Sequence, residues 1–171
     1  MEEQKKERPS FLDIYMELAH KMSERSTCAR KNSAGAAMRV GCVISSPDFR
    51  KIVAVGYNGG ASGDKNDCDR HGAEAVGNCG CLHAEENAAI NCDVPRATPK
   101  IVFCTHLPCV MCAKRLINLG GVVKVYYDID YRDRSALVLF TRASIEWEQF
   151  TPGSRRYKVT PCQHCGLPGG H

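Results

Sequence analysis

The sequence contains no apolar run long enough to span a membrane, and its first eight residues, MEEQKKER, include nothing like the apolar core of an export signal. Aromatic residues reach only 7%, with a single tryptophan, which is thin for the aromatic-lined basic groove that holds single-stranded nucleic acid. Charge of one sign is scarce too. The net value of +4 suits anionic small molecules but is no basic stripe of the kind that argues for nucleic acid. No internal repeat is visible. What the chain has in excess is cysteine, with eleven in 171 residues. Without an export signal these read as thiols and metal ligands rather than disulfides, and the odd count agrees, so a reducing cytoplasm is expected. The remaining composition, 43% hydrophobic and 25% charged, excludes wholesale disorder, and the length suffices for one domain with a sizeable core.

One stretch organises the rest. His83-Ala84-Glu85 is followed some two dozen residues later by Pro108-Cys109-Val110-Met111-Cys112. Zinc favours four-coordinate sites with nitrogen and sulfur ligands, and a catalytic site keeps one position open for water, whose pKa the metal lowers. His83 offers a nitrogen. Cys109 and Cys112, three apart, share one face of a first helical turn, so both sulfurs can reach one ion. Glu85, two residues from His83, cannot easily share its direction and is better placed to pass protons between water and substrate. Each part alone has an ordinary reading: a lone CxxC serves redox chemistry or half a structural site, and a lone His at a helix start is a cap or core residue.

Taken together, the H-x-E and P-C-x-x-C pattern resembles that of zinc-dependent nucleobase deaminases. The match extends beyond the minimal signature. His83 to Ile90 (HAEENAAI) is similar to the HAExNA stretch of the deoxycytidylate branch of the cytidine deaminase superfamily, as are Arg25-Ser26-Thr27-Cys28, Val40 to Ile44 (VGCVI) and Gly56-Tyr57-Asn58-Gly59. The resemblance covers roughly residues 11–150. It implies Glu85 as the catalytic proton carrier, His83, Cys109 and Cys112 as zinc ligands, the Ala84 backbone N–H as a contact to the ring carbonyl, Asn58 as a contact to the sugar, and Tyr131 near the substrate. The ordinary reading of Asn58 is a plain GYNG turn.

The pattern of apolar residues gives the order α-β-β-α-β-α-β-α-β. Ser10 caps a first helix, with Asp13 in its first turn and Phe11, Ile14, Tyr15, Leu18 and Met22 as its apolar face. Strands are expected over 39–45 and 51–57, joined by a Pro47-Asp48 turn, and then over 100–106, 122–129 and 145–150. Helices are expected from His83 to about Cys92, from Cys109 to about Leu119, and over 133–144. The later strands, joined through helices, call for parallel pairing by right-handed crossovers. The fold class is therefore α/β, a three-layer α/β/α sandwich with a mixed five-stranded sheet, and the deaminase resemblance implies the same. Residues 1–150 read as a single deaminase domain. Residues 151–171, rich in Pro, Gly and Arg, read as a C-terminal tail, flexible or clipped to a metal through Cys162 and Cys165.

The long Gly-, Asp- and Cys-rich segment 58–82 is expected to be functional. Cys68, His71, Cys79 and Cys81 lie in it, and with Cys28 they offer five groups for a second, structural zinc that needs four; buried free thiols are the alternative. Cys42, Cys92 and Cys104 are read as core. For a nucleotide phosphate, Lys31, Arg39, Lys65 and Arg132 are available cations. The function implied is zinc-dependent hydrolysis of a cytosine nucleotide, dCMP to dUMP with release of ammonia, by a homo-oligomer responsive to dCTP and dTTP. Deamination of another base, of a nucleoside, or of a base within RNA or single-stranded DNA is the alternative, with Arg155, Arg156, Tyr157 and Lys158 as contributors. A non-catalytic zinc module acting through partners is the alternative from another class.

Overall fold

The computed structural model of the chain describes residues 8–32, 35–63, 68 and 79–152. Four helices and five strands follow the order expected: α1 (Phe11–Ser23), β1 (Gly41–Ser45), β2 (Ile52–Tyr57), α2 (Ala84–Ile90), β3 (Lys100–His106), α3 (Val110–Leu119), β4 (Val122–Ile129), α4 (Ser135–Arg142) and β5 (Glu146–Gln149). The sheet order is β2-β1-β3-β4-β5. β1 pairs antiparallel with β2 and with β3, whereas β3, β4 and β5 run parallel, so the sheet is mixed as anticipated.

The two faces of the sheet are covered unequally. Residues alternate across a strand. Val43, Ile101, Phe103 and Tyr126 therefore face α1, while Cys42, Ile44, Val102, Cys104, Val125 and Tyr127 face the three remaining helices. Cys42 and Cys104 are core residues as read from the sequence; Cys92 is only partly buried and packs at the edge of that cluster.

α1 begins with a full capping box. The Ser10 hydroxyl accepts from the Asp13 N–H at 3.1 Å, and the Asp13 carboxylate accepts from the Ser10 N–H at 3.2 Å. Its apolar face differs from the expected one. Leu12, Tyr15, Met16 and Ala19 are buried, whereas Phe11 and Ile14 are 45% and 42% exposed. The buried set keeps the i, i+3, i+4, i+7 spacing but is rotated by about one position, because α1 must let Ala19 meet the strand beneath. There Gly41 carries the close approach: a Cβ on it would lie 1.9 Å from the Ala19 carbonyl oxygen.

α2 is set in the same manner. A Cβ on Gly56 would lie 2.2 Å from the Ala84 carbonyl oxygen and 2.4 Å from the Ala88 nitrogen. Only a glycine in β2 lets the helix that bears His83 and Glu85 sit this low on the sheet. Asn87 reinforces the contact, its Nδ2 donating to the Tyr57 carbonyl at 2.8 Å. Among the described residues no helix is long and apolar enough to cross a membrane. His71, Lys65, Cys162, Cys165 and the tail from 153 onward lie outside the described residues.

Candidate metal centre and active site

Two helix starts and a strand end converge. His83 is the N-cap of α2 and Cys109 the N-cap of α3, which follows β3 after Leu107 and Pro108. Cys112 lies in the first turn of α3. The Cys109 sulfur accepts from the Cys112 N–H at 3.5 Å, so part of the exposed helix end is already satisfied by a ligand candidate.

His83 Nδ1 lies 3.6 Å from Cys109 Sγ and 3.3 Å from Cys112 Sγ. Zn–N and Zn–S bonds of ordinary length, at tetrahedral angles, put such ligand atoms about 3.5 Å apart. The three side chains therefore fit a zinc ion with one coordination position unfilled by protein. The hydrogen bond from Cys112, joined by that to His83, lowers the Cys109 pKa to about 3. Cys112 is pushed up by its hydrogen bond with Cys109 and by burial. His83 is raised, chiefly by its hydrogen bond to Cys109.

Glu85 is buried in the first turn of α2, and burial holds its carboxyl above the usual carboxylate range. It lines a solvent-open cleft together with His83 and Cys109. Ala84 is fully buried and lines the cleft; as the first residue of α2 its N–H has no partner within the helix. Asn58 and Tyr131 line it too. The Asn58 side chain is engaged at both ends, Oδ1 accepting from the Val40 N–H at 2.8 Å and Nδ2 donating to the Met38 carbonyl at 2.7 Å. One amide hydrogen and one lone pair are left for a ligand.

A second group lies against the same cleft. Cys28, Cys68, Cys79 and Cys81 are buried, with all four sulfurs within 4.8 Å of one another. Cys28 to Cys79 is 3.5 Å and Cys68 to Cys81 is 3.6 Å, close to the roughly 3.8 Å between sulfurs on one tetrahedral zinc. Burial raises the pKa of Cys28 and Cys81, a cost that a bound cation would remove. Of the five groups singled out in the sequence, four assemble; His71 lies outside the described residues.

The cations proposed for a phosphate fare differently. Lys31, Arg39 and Arg132 are exposed and do not line the cleft, and Lys65 is outside the described residues. Arg30 does line it, and sequence reading passed over it. His106 also lines the cleft unforeseen, at the end of β3.

Residues 10–129 match the family model for the cytidine and deoxycytidylate deaminase zinc-binding region. The deoxycytidylate deaminase of Schizosaccharomyces pombe is 31% identical over 156 residues, 85% of this chain and 45% of that protein. ComE operon protein 2 of Bacillus subtilis is 33% identical over 148 residues, 84% of this chain and 72% of that protein. This chain thus spans about half the length of the yeast relative. Among solved structures, the dCMP deaminase of cyanophage S-TIM5, in complex with dCMP and dUMP, superposes with a TM-score of 0.69 at 31% identity, over 84% of this chain and 98% of that one.

Proposed function

The chain belongs to the cytidine and deoxycytidylate deaminase family, and from that premise we propose that it hydrolyses the exocyclic amino group of a cytosine nucleotide, converting dCMP and water to dUMP and ammonia. One observation carries the reading. A buried carboxyl, Glu85, and a metal-sized triad of His83, Cys109 and Cys112 meet at one cleft. The phage relative bound to dCMP and dUMP supports the choice of substrate.

His83, Cys109 and Cys112 would hold the zinc, which would supply the Lewis acidity that makes water nucleophilic near neutral pH. Glu85 takes a proton from the attacking water and delivers it to the ring nitrogen, then assists the departure of ammonia. A carboxyl whose pKa is raised by burial suits both halves of that shuttle. The Ala84 N–H donates to the ring carbonyl. Asn58 offers its remaining amide hydrogen to the sugar while bracing residues 38–40. Tyr131 closes one side of the cleft.

The four-cysteine cluster holds a second, structural zinc in the same proposal. Leu82, between Cys81 and His83, exchanges hydrogen bonds with Gly59 at 2.8 and 3.1 Å. Closing the cluster would therefore fix the segment that presents both His83 and Asn58. The protein is assigned to the reducing cytoplasm as a homo-oligomer, with dCTP and dTTP as effectors, on the strength of the family resemblance.

The test is ammonia release by zinc-loaded protein from dCMP, CMP, deoxycytidine, cytosine, dCTP, guanine and a short single-stranded oligonucleotide. Turnover of dCMP well above the others is expected. Silence on dCMP with another compound active would replace the substrate and keep the chemistry.

A further inference from the structure

We propose that the Glu86–Arg115 ion pair is a positioning clasp for the metal site: it holds α2 against α3 before zinc binds, and so raises the affinity of the His83, Cys109 and Cys112 triad for the ion. This rests on the zinc-site part of the reading above and concerns how that site is held ready.

The three ligand candidates come from two helices. His83 is the N-cap of α2, while Cys109 is the N-cap of α3 and Cys112 lies in its first turn. Apparent affinity for an ion scales with the fraction of time that the two helix starts stand at the right separation. α2 is the weaker partner. It has only seven residues, too few to be stable without tertiary contacts. Two asparagines tie it to the sheet: Asn87 Nδ2 donates to the Tyr57 carbonyl at 2.8 Å, and Asn91 Nδ2 to the Val55 carbonyl at 3.1 Å. Both bonds fix α2 to β2. Neither fixes it to α3.

Towards the core, the apolar side chains that α2 buries are Ala84 and Ala88, and α3 buries Ala113 and Leu116 beside Cys112. Alanines make few interlocking contacts, so they resist sliding of one helix along the other only weakly. The directional contact is polar. Arg115 Nη2 lies 3.2 Å from Glu86 Oε1. Among the described residues this is the one ion pair that joins α2 to α3.

Its place along the helices is what connects it to the metal. Glu86 is three residues beyond His83, and Arg115 is three beyond Cys112. Residues three apart stack on one helix face. The pair therefore repeats, one turn further in, the bridge that an ion would make between the same two helices. Glu86 also lies in the first turn of α2, where the helix dipole favours a carboxylate. The Glu86 side chain is 21% exposed and that of Arg115 41%, so solvent screens the pair in part and its effect is modest.

A charge near a cation site can also act through its field alone, and the two cases differ in sign. Through the field, removal of the Arg115 cation would tighten zinc binding, and removal of the Glu86 anion would loosen it. For a clasp, loss of either partner loosens zinc.

The test measures zinc dissociation constants by competition with a chelator. It compares wild type, Glu86→Ala, Arg115→Met, the variant carrying both changes, and the charge-exchanged variant Glu86→Arg with Arg115→Glu. The zinc held by the triad is the equivalent that Cys112→Ser lacks. Each single variant is expected to bind that zinc about two- to fivefold more weakly, the span of a partly exposed ion pair. The two losses should not add in the variant carrying both. The charge-exchanged protein should bind more tightly than either single variant. At saturating zinc, kcat for dCMP should stay within about twofold of wild type, because the clasp acts on occupancy of the site. Unchanged zinc affinity in both single variants, even with a lower Tm, overturns the clasp and leaves a purely structural pair. Opposite shifts in the two single variants overturn it in favour of the field. A wild type that binds no zinc at the triad overturns the metal reading and the clasp together. A wild type that binds zinc there but leaves dCMP intact overturns the deaminase reading alone, and the dissociation constants still decide the clasp.

Discussion

Lys100 is the residue whose chemistry is least expected from its place. It opens β3 fully buried, and its Nζ donates to the carbonyls of Thr98 at 2.7 Å, Pro95 at 3.0 Å and Gly120 at 3.1 Å. The ammonium thus ties the turn before β3 to the C-terminal end of α3, which carries Cys112. Lys100→Met leaves those carbonyls buried without a donor and is expected to cost about 3 kcal/mol in urea denaturation. His106 gives the pH dependence at the same scale. Burial, and then the charge of His20, hold its imidazole below the ordinary value, while Asp128 pulls the other way. Asp128 is itself engaged with His20 at 2.7 Å. The folded state therefore binds this proton later than the unfolded chain on acidification. Stability is lost as pH falls through about 6.5, the unfolded imidazole value, towards the folded one. His106→Gln is expected to flatten the slope of Tm against pH in that window. At this scale the sequence was most informative where chemistry demands a spacing. His83, Cys109 and Cys112 were legible because metal ligation demands such a spacing, and they do converge in the structure. Arg30 was not, because a cation beside Lys31 reads as one more solvated charge until the Lys31–Ala37 bridge assigns each a side.

At the scale of elements, periodicity identified the nine helices and strands among the described residues, and the helical connections gave the parallel pairing of the last three strands. It misplaced the face of α1, because Phe11 and Ile14 carry the right spacing but the contact is decided by Gly41 on β1 against Ala19. A glycine in a strand tells a reader that something comes close, but not which helix. The same logic makes Gly56 a test of how α2 is seated. Gly56→Ala must push the Ala84–Ala88 turn off the sheet. A loss of about 2 kcal/mol or more is expected from this overpacking. Because His83 and Glu85 lie on the displaced turn, zinc affinity and turnover should fall with it. Zinc titration by a competing chelator checks the first and ammonia release the second. Gly56→Ala with unchanged zinc affinity would mean that α2 does not set the metal site.

For the molecule as a whole, the proposed second zinc would couple metal binding to the fold. Cys28 follows α1, Cys68, Cys79 and Cys81 precede α2, and their cluster abuts the cleft. Closure of a four-cysteine site would tie together segments distant in sequence. Two zinc equivalents per chain are expected by elemental analysis. Cys68→Ser should reduce this to one and lower Tm, while the remaining zinc stays with His83, Cys109 and Cys112. Loss of both metals, or of neither, would contradict the division into a structural and a catalytic site. The central claim is tested most directly by ammonia release from dCMP, comparing wild type with Glu85→Gln at equal catalytic zinc content. Wild-type turnover, with at least a roughly thousandfold loss in Glu85→Gln and no loss of zinc, is the expected result for removal of the proton carrier. Equal turnover in the two proteins, or a fully zinc-loaded wild type that releases no ammonia, would contradict it.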